Sequence, residues 1–194
     1  MLAGWDWAGV FGGLISFLVV LYVQRAQRIR ITRGTTVSMV AFALLVAYVW
    51  APIGFPNSDW SRAPLGTDVI RLIPFMDFDP VLLQTQWLVV QLSMGASTFL
   101  LATLALYGDA RRAAFAVIGI MAVGLEISQA LSNHFSSLVP PYRVDIHDIL
   151  ARAAGALAAY LLLKFIGATW RLSVRPSFAK RGIIGFIDGV TRRI

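Results

Sequence analysis

Apolar residues run along this chain in five long stretches separated by short polar segments. The stretches lie at about residues 7–23, 36–50, 87–107, 113–131 and 146–166. Each approaches the roughly 20 residues that carry a helix across a hydrocarbon core. A helix is also the local fold that satisfies every backbone N–H and C=O within one segment, which lipid requires. The pattern therefore predicts an all-α, polytopic membrane bundle of five transmembrane helices.

The polar segments alternate in character. QRAQRIRITRG between the first two stretches, GDARR between the third and fourth, and the chain from the end of the fifth onward together hold thirteen of the 17 Lys and Arg residues. Basic loops stay on the cytoplasmic side, so the N-terminus is expected outside and the C-terminus inside. The opening MLAGWDWAG lacks the basic start of a cleaved signal peptide.

Residues 51–86 form the large outer segment. Its first thirty residues hold five Pro and two Gly, which exclude a continuous helix, and mix Trp60, Phe75 and Phe78 with Asp59, Asp68, Asp77 and Asp79. That mixture suits a loop lying partly along the outer interface, or a plain connection. Residues 1–170 are thus read as a transmembrane domain, and 171–194 as a basic amphipathic tail. In the tail Ile183, Phe186, Ile187, Val190 and Ile194 recur at helical spacing among Lys180, Arg181, Arg192 and Arg193. This suits a helix on an anionic leaflet, or one that docks a partner.

Composition agrees with a membrane protein: 58% of residues are hydrophobic, 14% are charged, and mean hydropathy is +0.72. The net charge of +7 is explained by topology, so no nucleic-acid partner is inferred. Cysteine is absent, which removes disulfides and thiolate chemistry.

Against this apolar background GLEISQALSNHFSSLVPPYRVDIHDILARAAG, residues 124–155, concentrates ionisable groups. Glu126 and Gln129 share a helix face near the outer end of the fourth stretch. Arg143 precedes the fifth, and Asp145, Asp148 and Arg152 follow at spacings of three and four, as one helical stripe. Ionisable groups inside a span cost several kcal/mol unless paired or wetted, so the stripe is expected to face Glu126 and Gln129. Counting at about 1.5 Å per residue puts Glu126 and Arg152 at the same depth and predicts that they pair, with Gln129 and Asp148 completing the network. Such a cluster either fixes how two spans pack or forms a pocket open to the outer face. Glu126 with Asp145 or Asp148 resembles a general acid and base pair, but an arginine partner holds a carboxylate ionised, which suits anchoring better. His134 and His147 near the two aspartates lack the spacing of a metal motif, and no metal or cofactor site is assigned. Gly155 with Ala159, and Ala154 with Ala158, are small pairs four apart that permit close helix packing.

The order Glu126-x-x-Gln129, Arg143-x-Asp145-x-x-Asp148 and then Gly155 resembles the VanZ-like family of bacterial membrane proteins. Leu72, Ile73, Pro74 and Phe75 in the outer loop resemble the same family's Asn-Leu-Ile-Pro-Phe element. The likeness covers residues 71 to about 160. Arg152 stands where the family usually has Asn, Ala159 where it often has Gly, and Arg71 where it has the Asn before Leu-Ile-Pro-Phe. The resemblance implies a protein of the bacterial cytoplasmic membrane with a cell-envelope role, in a family named for resistance to the glycopeptide teicoplanin. The expectation is a non-catalytic protein among membrane lipids that engages a lipid-linked or glycopeptide-type ligand through the polar cluster and the loop. The alternative is an accessory or scaffold subunit of a larger membrane complex.

Overall fold

The computed structural model describes residues 7–29, 31–51, 70–71, 85–136, 144–173 and 182–194. Helix α1 (Trp7–Ala26) turns back into α2 (Arg33–Trp50), and α3 (Thr85–Ala105) turns into α4 (Ala110–Val117). A π-helical segment, Ile118–Gly124, continues α4 into α5 (Leu125–Ser136). Helix α6 (Ile146–Ser173) is followed by the short α7 (Gly182–Thr191). Five stretches are long and apolar enough to cross a membrane: Gly9–Ala26, Arg33–Trp50, Gln86–Ala105, Ala110–Leu131 and Ile146–Leu172. The expected all-α bundle is thereby present. Two two-residue strands, β1 (Ile70–Arg71) and β2 (Val144–Asp145), pair in parallel, with Ile70 opposite Val144 and Arg71 opposite Asp145.

Local chemistry sets the helix ends. Helix α3 stops two residues before the expected Tyr107 because Tyr107 and Gly108 take left-handed conformations, with φ of 52° and 88°. The Gly108 N–H then reaches the Thr103 carbonyl at 2.8 Å and the Tyr107 N–H the Leu104 carbonyl at 3.2 Å, which satisfies two terminal acceptors. Helix α1 ends the same way around Arg28, whose φ is 51°. Thr32 and Thr35 form a reciprocal cap at the start of α2. Asp109 caps α4 by accepting from the Arg112 N–H at 3.1 Å and also pairs with the Arg112 guanidinium.

Helix α3 lies at the centre, touching α2, α4 and α6. Phe42, Val46, Phe99, Ala102 and Met121 are buried there, while Val37, Phe115 and Phe165 are about 70% exposed. An apolar exterior of this extent is incompatible with water and matches a bilayer as solvent.

Helix α6 approaches α3 most closely where two glycines interlock. A Cβ at Gly95 would collide with the backbone of Arg152, and one at Gly155 with the backbone of Leu92. The small residue Gly155 therefore serves packing within the chain, whereas Ala154 and Ala158 are exposed.

The basic stretches gather at one end of the bundle. Gln24 Nε2 at the end of α1 donates to the Ala105 carbonyl at the end of α3, at 2.6 Å. Helix α7 docks on the same end: Trp170 Nε1 donates to Asp188 at 3.3 Å, Arg171 to the Thr191 carbonyl at 3.0 Å, and Phe186 lies against Gly34 and 5.8 Å from the Tyr107 ring centroid. The tail's apolar stripe is consequently divided. Val190 is buried against the bundle and Ile183 is 77% exposed, because the helix lies across the helix ends rather than floating free of them.

Candidate functional site

At the opposite end, the buried guanidinium of Arg152 organises a polar cluster from three spans. Arginine has five N–H donors in a rigid fork. Here Nε donates to Gln91 Oε1 at 2.7 Å, Nη1 to Glu126 Oε1 at 2.7 Å and to the Met121 carbonyl at 3.2 Å, and Nη2 to Asp148 Oδ2 at 3.3 Å. Arg152 and Glu126 are each only 2% exposed. A charge at such a site is tolerable because each direction meets an acceptor.

Each partner has a structural origin. Asp148 and Arg152 sit one turn apart on α6. Glu126 projects from the first turn of α5. Met121 lies within the π-helical segment, whose wider winding re-aims backbone carbonyls, and its carbonyl faces the guanidinium. Gln91 comes from α3, one turn before Gly95, where α3 and α6 are closest.

Asp145 behaves differently from the residues after it. It belongs to β2 and caps α6, with Oδ1 accepting the His147 N–H at 2.9 Å and lying 2.6 Å from His147 Nδ1. Its own N–H donates to Glu126 Oε2 at 3.0 Å, so Glu126 bridges the start of α6 to Arg152.

The expected pairing of Glu126 with Arg152, joined by Asp148, is present. Three details differ from the sequence expectation. Gln91, not Gln129, completes the network, because the nearest backbone to α6 is α3 rather than α5. Gln129 Oε1 is buried and has no hydrogen-bond partner among the described residues. The carboxylate of Asp145 leaves the stripe because a residue in the cap position does not follow helical spacing. Arg143, Leu72, Ile73, Pro74 and Phe75 lie outside the described residues, as does the side chain of His134. The β1–β2 pairing nevertheless brings the outer segment's backbone at Arg71 alongside Asp145. A polar residue four before a glycine in the third stretch was the available signal for Gln91.

Among the described residues, no group of three or more His, Asp or Glu side chains is arranged to hold a metal ion. Three carboxyl groups, Glu126, Asp145 and Asp148, gather around the guanidinium of Arg152, with His147 Nδ1 2.6 Å from Asp145 Oδ1. Trp50 Nε1, buried beside Leu125 and Gly124, also lacks a partner among the described residues. This end therefore offers an unused donor and an unused acceptor.

Comparisons with protein-family models, curated proteins and solved structures return no match. The fold and the buried charge cluster define the class of the molecule: a multi-pass helical membrane protein with an ionic clasp between its spans.

Proposed function

We propose that this chain is a non-catalytic, VanZ-like protein of the bacterial cytoplasmic membrane that binds a lipid-linked or glycopeptide-type envelope ligand at the outer, acidic end of its bundle. The observation that carries this reading is the use of the cluster's groups. Four hydrogen bonds leave Arg152 almost fully committed, and arginine, backbone or histidine groups engage all three carboxyls. Groups so engaged support a platform better than they move protons. The carboxyl-rich lining, with the unused acceptor of Gln129 and donor of Trp50, suits a ligand rich in hydroxyl, amide and amine groups. Both ligand types carry such groups. The strand pair sets the backbone of Ile70 and Arg71 beside Val144 and Asp145 at this end.

The test uses the full chain in nanodiscs, with fluorescent teicoplanin and a lipid-linked disaccharide-peptide as probes. Saturable binding is expected for at least one probe, and Gln129→Leu should weaken it about tenfold, the value of one buried hydrogen bond to a ligand, with an unchanged melting temperature. Signals equal to those of empty nanodiscs for both probes overturn the proposal. Stoichiometric co-purification of other membrane proteins, together with such a result, would favour the accessory-subunit reading.

A further inference from the structure

A cleft of about 600 Å³ opens at the basic end of the bundle between α4 and α6, is lined also by Phe99 of α3, and runs inward as far as Ala153, the residue after Arg152. Its two ends differ in chemistry. At the end nearest the turn into α4 lie Arg111 and Arg193, both exposed. Arg111 has no ion pair or hydrogen bond among the described residues. Arg193 lies with its guanidinium 4.8 Å from the Tyr107 ring centroid and has no carboxylate partner among them. Asp109 also lines the cleft, but its carboxylate is engaged by Arg112 and by the start of α4. At the mouth Arg111 and Arg193 thus have no side-chain carboxylate partner among the described residues, with Ile194 beside them.

The other end is apolar. Ala114 and Ile118 form one wall, and Ala153 and Leu157 the other. The seven residues from Arg111 to Ile118, and from Tyr160 back to Ala153, each rise roughly 10 Å, so the apolar track leads that far along the spans from the arginines. In a membrane-spanning chain this track is sealed from water and opens sideways to lipid. A free anion would satisfy the arginines and leave the track empty. An acyl chain of an uncharged or zwitterionic lipid would fill the track without neutralising the arginines.

We infer that this cleft binds one anionic phospholipid, its phosphate-bearing head group held by Arg111 and Arg193 and one acyl chain lying along Ala114, Ile118, Ala153 and Leu157. Charge complementarity at the mouth, and its continuity with an apolar track roughly 10 Å long, select this occupant. The bound lipid would bridge α4, α6 and the last residues after α7, and so couple anionic-leaflet composition to how the tail sits on the bundle.

The experiment measures lipid binding to the detergent-purified full chain by native mass spectrometry, comparing phosphatidylglycerol with phosphatidylcholine of identical chains. Phosphatidylglycerol should be retained selectively. Arg111→Ala, at an exposed and unpaired position, should weaken it about fivefold, and Arg111→Ala with Arg193→Ala about thirtyfold, from the typical value of one basic residue near an anionic head group. Ala114→Leu fills the track without changing charge and should weaken both lipids. Arg25→Ala with Arg28→Ala removes two other basic-end charges and should leave the selectivity intact. Equal retention of the two lipids by the unmodified protein, or unchanged selectivity in the Arg111 and Arg193 variants, overturns the assignment. Displacement of the lipid by millimolar inorganic phosphate overturns it in favour of a soluble anion, and an ineffective Ala114→Leu overturns the seating of the chain.

Discussion

Replacing Arg152 by methionine keeps much of the side chain's length and removes the cation on which four hydrogen bonds converge. Glu126 and Asp148 are then left in a buried site without their counter-charge, and breaking a buried ion pair costs about 3–5 kcal/mol. Glu126→Gln is milder. The amide oxygen still accepts from Arg152, and the guanidinium keeps Asp148, Gln91 and the Met121 carbonyl, so the loss is near that of weakening one charged hydrogen bond, about 1–2 kcal/mol. In the double variant the neutral amide at position 126 no longer suffers from the missing arginine. Its destabilisation should therefore fall about 1–2 kcal/mol short of the sum of the singles. Unfolding in mild detergent, titrated with a denaturing detergent and followed by tryptophan fluorescence, measures all four corners of the cycle. The clasp is refuted if the two changes add within about 0.5 kcal/mol, or if Arg152→Met costs no more than Glu126→Gln. Exchanging the charges, Glu126→Arg with Arg152→Glu, is the rescue that the sequence alone suggests. The structure predicts that this rescue is poor, because a carboxylate at position 152 would face Asp148 one turn away and the Met121 carbonyl, both acceptors.

Gly95→Ala and Gly155→Ala should each destabilise by about 3 kcal/mol, since the new methyl must push α3 from α6 at the backbone; thermal melts unchanged by either would show that the contact is not tight. Gln91→Leu, which strips Arg152 Nε of its acceptor, should cost about 1–3 kcal/mol, read by the same denaturation. The Arg192 guanidinium holds the Asp188 carboxyl below its ordinary value of 3.8. A depressed carboxyl contributes stability that is present above that ordinary value and lost as pH falls through the lowered one. The docking of α7 should accordingly persist from neutral pH to about 4 and loosen below it, and Asp188→Asn should loosen it at pH 7. Hydrogen exchange confined to residues 182–194 reads both effects, and equal protection in the variant at pH 7 would count against the Asp188 contacts. A reporter fused after Ile194 should report the cytoplasm and one inserted near Asn57 the exterior; the reverse pattern would overturn the assigned orientation.

Hydrophobic patterning by itself determined that the chain is a helical membrane bundle and where its five long helices lie, because in lipid each span must satisfy its own backbone and does so from local sequence. It also determined that Glu126 and Arg152 meet: two charges at equal depth in spans joined by a short turn have few other partners. Tertiary structure decided the rest of that network. Gln91 enters from a span 61 residues earlier in the chain because Gly95 and Gly155 let α3 and α6 touch, and no local pattern announces which helices become nearest neighbours. The Met121 carbonyl depends on π winding between α4 and α5, a departure of backbone geometry that hydropathy does not register. Asp145 left the charged stripe since its place at the cap, not its spacing, sets its direction. The cleft beside Arg111 exists because residues from α3, α4, α6 and the chain's last two positions converge around one gap, and such a gap is a property of packing in three dimensions.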